Sequence, residues 1–171
     1  TRIGDAAIAI GGTDPGSQFN RQLVASAPLA LVTSPRLPLT GVGRDQADQL
    51  LRGAIADWRD VGAAPQIEVE PIALRGFVAE GTTPVETYRD YEALVAGLAD
   101  RPGGVALVPV ELVDFRVNVL AVDGVDPVRG IGDPTGYPFG ARIFVGVRTD
   151  LAGALSPVLD PALSSVSLPQ T

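Results

Sequence analysis

Thr83-Pro84-Val85-Glu86-Thr87-Tyr88-Arg89-Asp90-Tyr91-Glu92-Ala93-Leu94-Val95-Ala96-Gly97-Leu98-Ala99-Asp100, then Arg101-Pro102-Gly103-Gly104, then Val105-Ala106-Leu107-Val108-Pro109, is the stretch on which the fold turns. Its first part predicts a helix over 84–99: Thr83 as N-cap, Pro84 at the first helical position and Glu86 three residues after the cap form a capping box. The Arg-Pro-Gly-Gly run breaks the helix. The continuous apolar run over 104–109 then reads as a buried strand. Helix, breaker, buried strand is the unit of an α/β domain.

The same alternation extends outward. Residues 5–10 read as a short buried strand, ended by Gly11-Gly12-Thr13-Asp14-Pro15-Gly16. Gln18 to Ser26 reads as a short helix or a loop. Residues 28–33 form a second apolar strand, stopped at Ser34-Pro35 because the residue before proline is pushed out of the helical region. A helix starts at Thr40 or Gly43, with Ala47, Leu50, Leu51 and Ile55 on one face and Gly53 as C-cap. Asp57 to Gly62 is a turn carrying the only Trp. Residues 66–74 read as a half-buried strand, 116–122 and 140–148 as further strands, and 124–138 as a Gly/Pro-rich loop. The fold class is α/β, a mixed sheet flanked by helices.

Composition sets limits on function. The 171 residues fit one domain, or two small lobes sharing a hinge, and 46% of them are hydrophobic. A chain of this length buries roughly 70% of its unfolded surface. There is no His, Cys or Lys, so all 13 basic residues are Arg. That removes Ser-His-Asp triads, Cys-His pairs, ordinary zinc sites, Lys Schiff bases and Lys-dependent phosphate loops. We expect no cofactor and no metal. The net charge of −7 argues against nucleic acid, which needs a basic stripe. No run approaches the ~18 apolar residues of a membrane span, so membrane insertion is not expected. The chain contains no Met, the pattern of a mature or excised piece of a longer precursor.

Three stretches together carry a family resemblance. The first is Gln49-Leu50-Leu51-Arg52-Gly53-Ala54-Ile55-Ala56-Asp57-Trp58-Arg59-Asp60-Val61-Gly62. The second is Gly103 to Pro109. The third is Val119-Leu120-Ala121-Val122-Asp123-Gly124-Val125-Asp126-Pro127, followed by Tyr137-Pro138. In order and spacing they resemble the class II, phosphate-type periplasmic substrate-binding proteins. The third stretch is also similar to the binding-protein-like region of CapA-type poly-γ-glutamate capsule biosynthesis proteins, which precedes a catalytic domain.

The resemblance implies one substrate-binding-like α/β domain over 1–150, with 1–38 and 138–150 as an incomplete first lobe and hinge, 39–137 as the second lobe, and 151–171 as a C-terminal tail or linker. It implies an exported, extracytoplasmic, non-catalytic domain that binds a small anionic ligand or an envelope polymer. Such a domain is accessory to capsule or envelope polymer synthesis, with a covalently linked catalytic domain in the parent protein. The alternatives are a transport receptor for phosphate or another oxyanion, and a carboxylate-dependent hydrolase. One departure from the family pattern stands out: Glu80 occupies the place of a Ser in the anion-binding turn, and a carboxylate there repels phosphate.

Each candidate ligand contact has a second reading. Gly81, Thr82 and Thr83 either offer N–H and hydroxyl groups to an anion or cap a helix. Arg75 either pairs with a ligand or is a surface cation. Ser34 either meets ligand at a strand end or makes a turn. Trp58 either stacks on a ligand or anchors the core. The acidic pairs Asp57/Asp60, Glu68/Glu70 and Asp123/Asp126 either form a hydrolytic or Ca²⁺ site or are solvated and turn carboxylates.

Overall fold

The computed structural model describes residues 8–11, 17, 19–63, 66–78 and 81–150. It divides into two compact units, Thr1–Ala27 with Ala141–Thr171, and Pro28–Gly140, so the chain crosses the boundary at 27–28 and again at 140–141. The expected tail at 151–171 and Glu80 lie outside the described residues.

In the first unit, strand β1 (Ile8–Gly11) pairs antiparallel with β8 (Gly140–Arg148), Ile8 opposite Val147 and Gly11 opposite Phe144. Strand β2 spans Phe19–Thr33. Residues 19–26 are therefore strand, and the expected short helix or loop is corrected. Their local signal is weak in either direction, and strand preference depends on context more than on the residue itself.

The second unit holds a six-stranded sheet. Its other strands are β3 (Gly41–Val42), β4 (Glu70–Leu74), β5 (Glu86–Tyr88), β6 (Gly104–Pro109) and β7 (Asn118–Val122). Their order is β3-β7-β2-β6-β4-β5. β3 runs parallel to β7, β6 to β4, and β4 to β5, while β2 is antiparallel to both β6 and β7. Five strands thus point one way and β2 alone points back.

Helix α1 (Arg44–Leu51) begins after Gly43, the N-cap, and Gly53 follows its last turn at φ +69°. Ala47, Leu50 and Leu51 are buried as the periodicity predicts, whereas Ile55 lies past the helix end and is only partly covered. Helix α2 is Tyr91–Asp100. The expected helix at 84–99 is corrected at its start. Residues 86–88 form β5, whose approach is fixed by the Val85 N–H donating to the Pro71 carbonyl at 2.8 Å. Val85, Thr87 and Tyr88 favour a strand. Asp90 is the true cap, its carboxylate accepting from the Ala93 N–H at 2.9 Å. Strand β4 begins at Glu70 rather than 66, and Pro71 to Leu74 are all buried, so it is covered on both faces.

One face of the sheet carries Ala30, Val32, Ile72, Leu74, Ala106, Val108 and Val119, packed with Leu94, Val95 and Leu98 of α2 and with Val117. The alternating positions Leu29, Leu31, Val105, Leu107 and Leu120 are equally buried. Gly53, just past α1, faces Pro71 on that second side. Trp58 is wholly buried on a 3-10 turn, Trp58–Val61, and its indole N–H donates to the Gly103 carbonyl at 3.0 Å. It is a core anchor, one of its two sequence readings. Gly103 is required there, because a Cβ would fall on the Glu68 carbonyl oxygen.

The 124–138 stretch is a built loop. Asp123 (φ +51°) and Gly124 (φ +80°) make the turn between Val122 and Val125. Asp126 is 1% exposed, and its carboxylate accepts from the Val128 and Arg129 N–H groups, both at 3.0 Å, and from the Arg129 guanidinium at 2.7 Å.

Candidate functional site

Ligands of open α/β sheets sit outside the carboxyl ends of the parallel strands. The register shows which predicted residues lie there. Leu29 faces Pro109 at the end of β6, while Thr33 faces Val105 at its start and Asn118 at the start of β7. Ser34 therefore lies at the amino edge. It is buried, its hydroxyl accepting from the Arg36 N–H at 3.3 Å and its carbonyl from the Leu37 N–H at 3.1 Å, which is a turn.

Gly81, Thr82 and Thr83 precede β5, whose first residues sit at the level of Pro71, so they also lie at the amino edge. Gly81 (φ +78°) lies against the Arg52 guanidinium at the end of α1, and the Thr82 hydroxyl is buried without a hydrogen-bond partner. Thr83 is exposed and caps no helix. Arg75, directly after β4, is the one predicted contact at the carboxyl edge. Its N–H donates to the Tyr88 carbonyl at 2.9 Å and its side chain is exposed. The structure therefore splits the predicted set between two edges of the sheet.

At the carboxyl edge stand Arg44, which the sequence did not single out, and Asp123, which the sequence offered only as half of an acidic pair with Asp126. Arg44 opens α1 directly after β3, and Asp123 follows β7, the strand beside β3. The Asp123 carboxylate accepts the Arg44 N–H at 3.0 Å, and the Gln46 amide oxygen accepts the Gly43 N–H at 2.9 Å. Gly43 has no side chain to return that bond, so only half of a capping box is present. Asp123 places negative charge where the helix dipole is positive, which stabilises α1. The signal for Arg44 is Gly-Val-Gly-Arg at 41–44, a strand too short to be read from pattern.

Arg44, Asp45, Asp48, Pro138 and Phe139 line a pocket of about 310 Å³. Asp48 is held by Arg52 at 2.8 Å. Tyr137, next to Pro138, packs edge-on against Phe139 with ring centroids 5.9 Å apart, and burial pushes its phenol up to about 12.

Arg52, Arg59, Arg89, Arg101, Arg116 and Arg129 all pair with carboxylates. Arg36, Arg44 and Arg75 form no ion pair among the described residues. Arg36 sits at the amino edge, in the turn after β2. Arg44 and Arg75 are four strands apart in the sheet order, roughly 19 Å at the usual strand spacing, so one small ion does not engage both.

The acidic pairs do not converge on a site. Asp57 is the cap of the Trp58 turn, held below the usual carboxylate range chiefly by the Arg59 N–H. Its bridge partner is Glu68, and Glu70 pairs with Arg101. Among the described residues no cluster of acidic groups suits a metal ion, and no helix is long and apolar enough to cross a membrane.

No protein-family model matches the chain, and no curated protein is similar to it in sequence. Solved structures are similar in fold. An ABC-type phosphate transport receptor from Vibrio cholerae superimposes with a TM-score of 0.69 at 17% identity, over 95% of this chain and 75% of that one. PstS from Borrelia burgdorferi gives 0.56 at 13% identity, over 99% and 82%. A mutant regulatory domain of OxyR from Pseudomonas aeruginosa gives 0.51 at 13% identity, over 96% and 72%. These are binding and regulatory proteins rather than enzymes. The chain has the mixed α/β fold of phosphate-type substrate-binding proteins.

Proposed function

We propose that this chain is an extracytoplasmic solute-binding domain for a small oxyanion, phosphate being the first candidate, and that the ligand is held at the carboxyl edge by Arg44. The observation that carries the reading is Arg44 itself: an exposed guanidinium on the first turn of a helix, lining a pocket, with no carboxylate partner among the described residues, where Arg52, Arg59, Arg89, Arg101, Arg116 and Arg129 each have one. Guanidinium groups suit oxyanions because their paired N–H donors match two oxygens at once. A pocket of about 310 Å³ is at the small end of ligand sites, with room for more than a bare phosphate. The shared fold supports a binding role and an extracytoplasmic setting. The similarity in fold to phosphate transport proteins supports the transport-receptor reading over the capsule-accessory one.

Thermal unfolding tests this reading. A ligand that binds only the folded state stabilises by about 2.7 kcal/mol at 100 times its Kd, roughly 5–10 °C for a domain of this size. Phosphate should give that shift, and Arg44→Ala should remove it while Arg36→Ala leaves it intact. Flat melting curves with phosphate, sulfate and molybdate would overturn the assignment.

A further inference from the structure

The segment between β6 and β7 presents an aromatic ring to solvent on a rigid mount. Phe115 is 93% exposed and Leu112 42% exposed. Their chain neighbours point the other way. Val117 is buried in the core cluster, with Val110 and Val113 packed against it. The Val113 N–H donates to the Val110 carbonyl at 3.2 Å and closes the 3-10 turn beneath Leu112.

Polar contacts then fix both sides of Phe115. The Asp114 N–H donates to the Tyr91 hydroxyl at 3.2 Å, and the Asp114 carboxylate accepts the Arg116 N–H at 2.9 Å. The Arg116 guanidinium pairs with Asp114 at 2.7 Å and with Glu92 of α2 at 2.6 Å, and it stacks 5.7 Å from the Tyr91 ring centroid. The loop is thus tied to the start of α2 at three points, and none of them uses Phe115. The contacts that hold this loop use Tyr91, Asp114, Arg116 and Val117 and leave Phe115 in water.

We infer that Phe115, with Leu112, is a docking knob for a partner protein that offers an apolar socket rimmed by Arg or Lys. A preordered aromatic side chain loses little freedom on binding, which is why such residues dominate binding energy. Charge chooses the occupant. Exposed Glu111 precedes the knob in sequence and Asp114 adjoins it, while neighbouring Arg116, the only cation among them, is shared between Asp114 and Glu92, which leaves a net negative charge. The net negative rim favours a basic partner and disfavours an anionic lipid surface. It also disfavours a second copy of this chain, whose net charge is −7.

The test uses the full protein in its own cells, with a benzophenone cross-linker placed at Leu112. The expected result is an adduct to another protein whose cross-linked peptide, mapped by mass spectrometry, is apolar and flanked by Arg or Lys. Its yield should fall at least tenfold with Phe115→Ser and with Glu111→Arg. Purified Phe115→Ser should melt within about 2 °C of the parent, since exposed side chains away from special features change stability little. The inference is overturned by any of five results: no adduct, an adduct to a second copy, an adduct indifferent to Phe115→Ser, Phe115-dependent sedimentation with phosphatidylglycerol vesicles, or a larger loss of melting temperature.

Discussion

Replacing Trp58 measures how the second unit is held together. The side chain is wholly buried, and its indole N–H reaches the Gly103 carbonyl at 3.0 Å. That carbonyl also accepts the Glu70 N–H at 3.0 Å. Trp58→Phe therefore leaves no buried acceptor without a partner. Its cost is one hydrogen bond, about 1 kcal/mol, plus the cavity left by the missing part of the ring system, about 1–2 kcal/mol. The expected loss is about 2–3 kcal/mol, or roughly 5–10 °C in Tm. Trp58→Ala adds a larger cavity and should cost about 3–5 kcal/mol. Urea unfolding followed by far-UV circular dichroism is the assay, because the variants lose the only Trp and with it the fluorescence signal. A Phe variant within about 0.5 kcal/mol of the parent, or an Ala variant costing less than about 1.5 kcal/mol, would refute the reasoning.

Three further outcomes follow from other contacts. Gly103→Ala should fail to fold or express as aggregate, since the added Cβ meets the Glu68 carbonyl oxygen, and soluble yield checks this. The Ala93 N–H, with help from Arg89 and Arg75, holds the Asp90 carboxyl below its ordinary value of 3.8. Its contribution is therefore fully present above that value and is lost as pH falls through the lower folded value. Asp90→Asn keeps a cap acceptor that does not titrate, so its urea midpoint should fall less steeply than the parent's between pH 5 and pH 2 (about the window set by carboxylate titration), and parallel curves would count against the cap. Asp123→Asn retains an acceptor for the Arg44 N–H and a residue that tolerates φ +51°. With the negative charge gone, phosphate should bind roughly fivefold or more tightly, as read by calorimetry; weaker binding would place the anion elsewhere.

The parts of the fold that show in the sequence are those whose burial pattern is local. β6 is apolar at every position because both of its faces are covered, and α1 shows Ala47, Leu50 and Leu51 at helical spacing. The parts that do not show depend on distant partners. β5 is three residues whose only reason to be a strand is the free side of β4, and a proline-led capping box masks it. β3 is two residues beside β7. The candidate site suffers from the same cause. Arg75 is visible as a cation after a strand, but the importance of Arg44 depends on β3 and on Asp123, 79 residues further along the chain. The Ser34 and Gly81–Thr83 positions have the right chemistry for an anion, and only the strand register reveals that they belong to the other edge.

Strand β2, which runs against its five companions, also governs the order of assembly. Leu31 pairs with Leu107 on one side and Leu120 on the other, so the first strand of this sheet to be synthesised must wait for two strands made much later in the chain. Until β6 and β7 exist, its apolar run from Leu29 to Val32 stays bare. Closing such long loops before any contact rewards them slows folding. A nascent chain of this kind stays open to wrong pairings for most of its synthesis. Holding that one segment unpaired is therefore the step at which a chaperone would matter most.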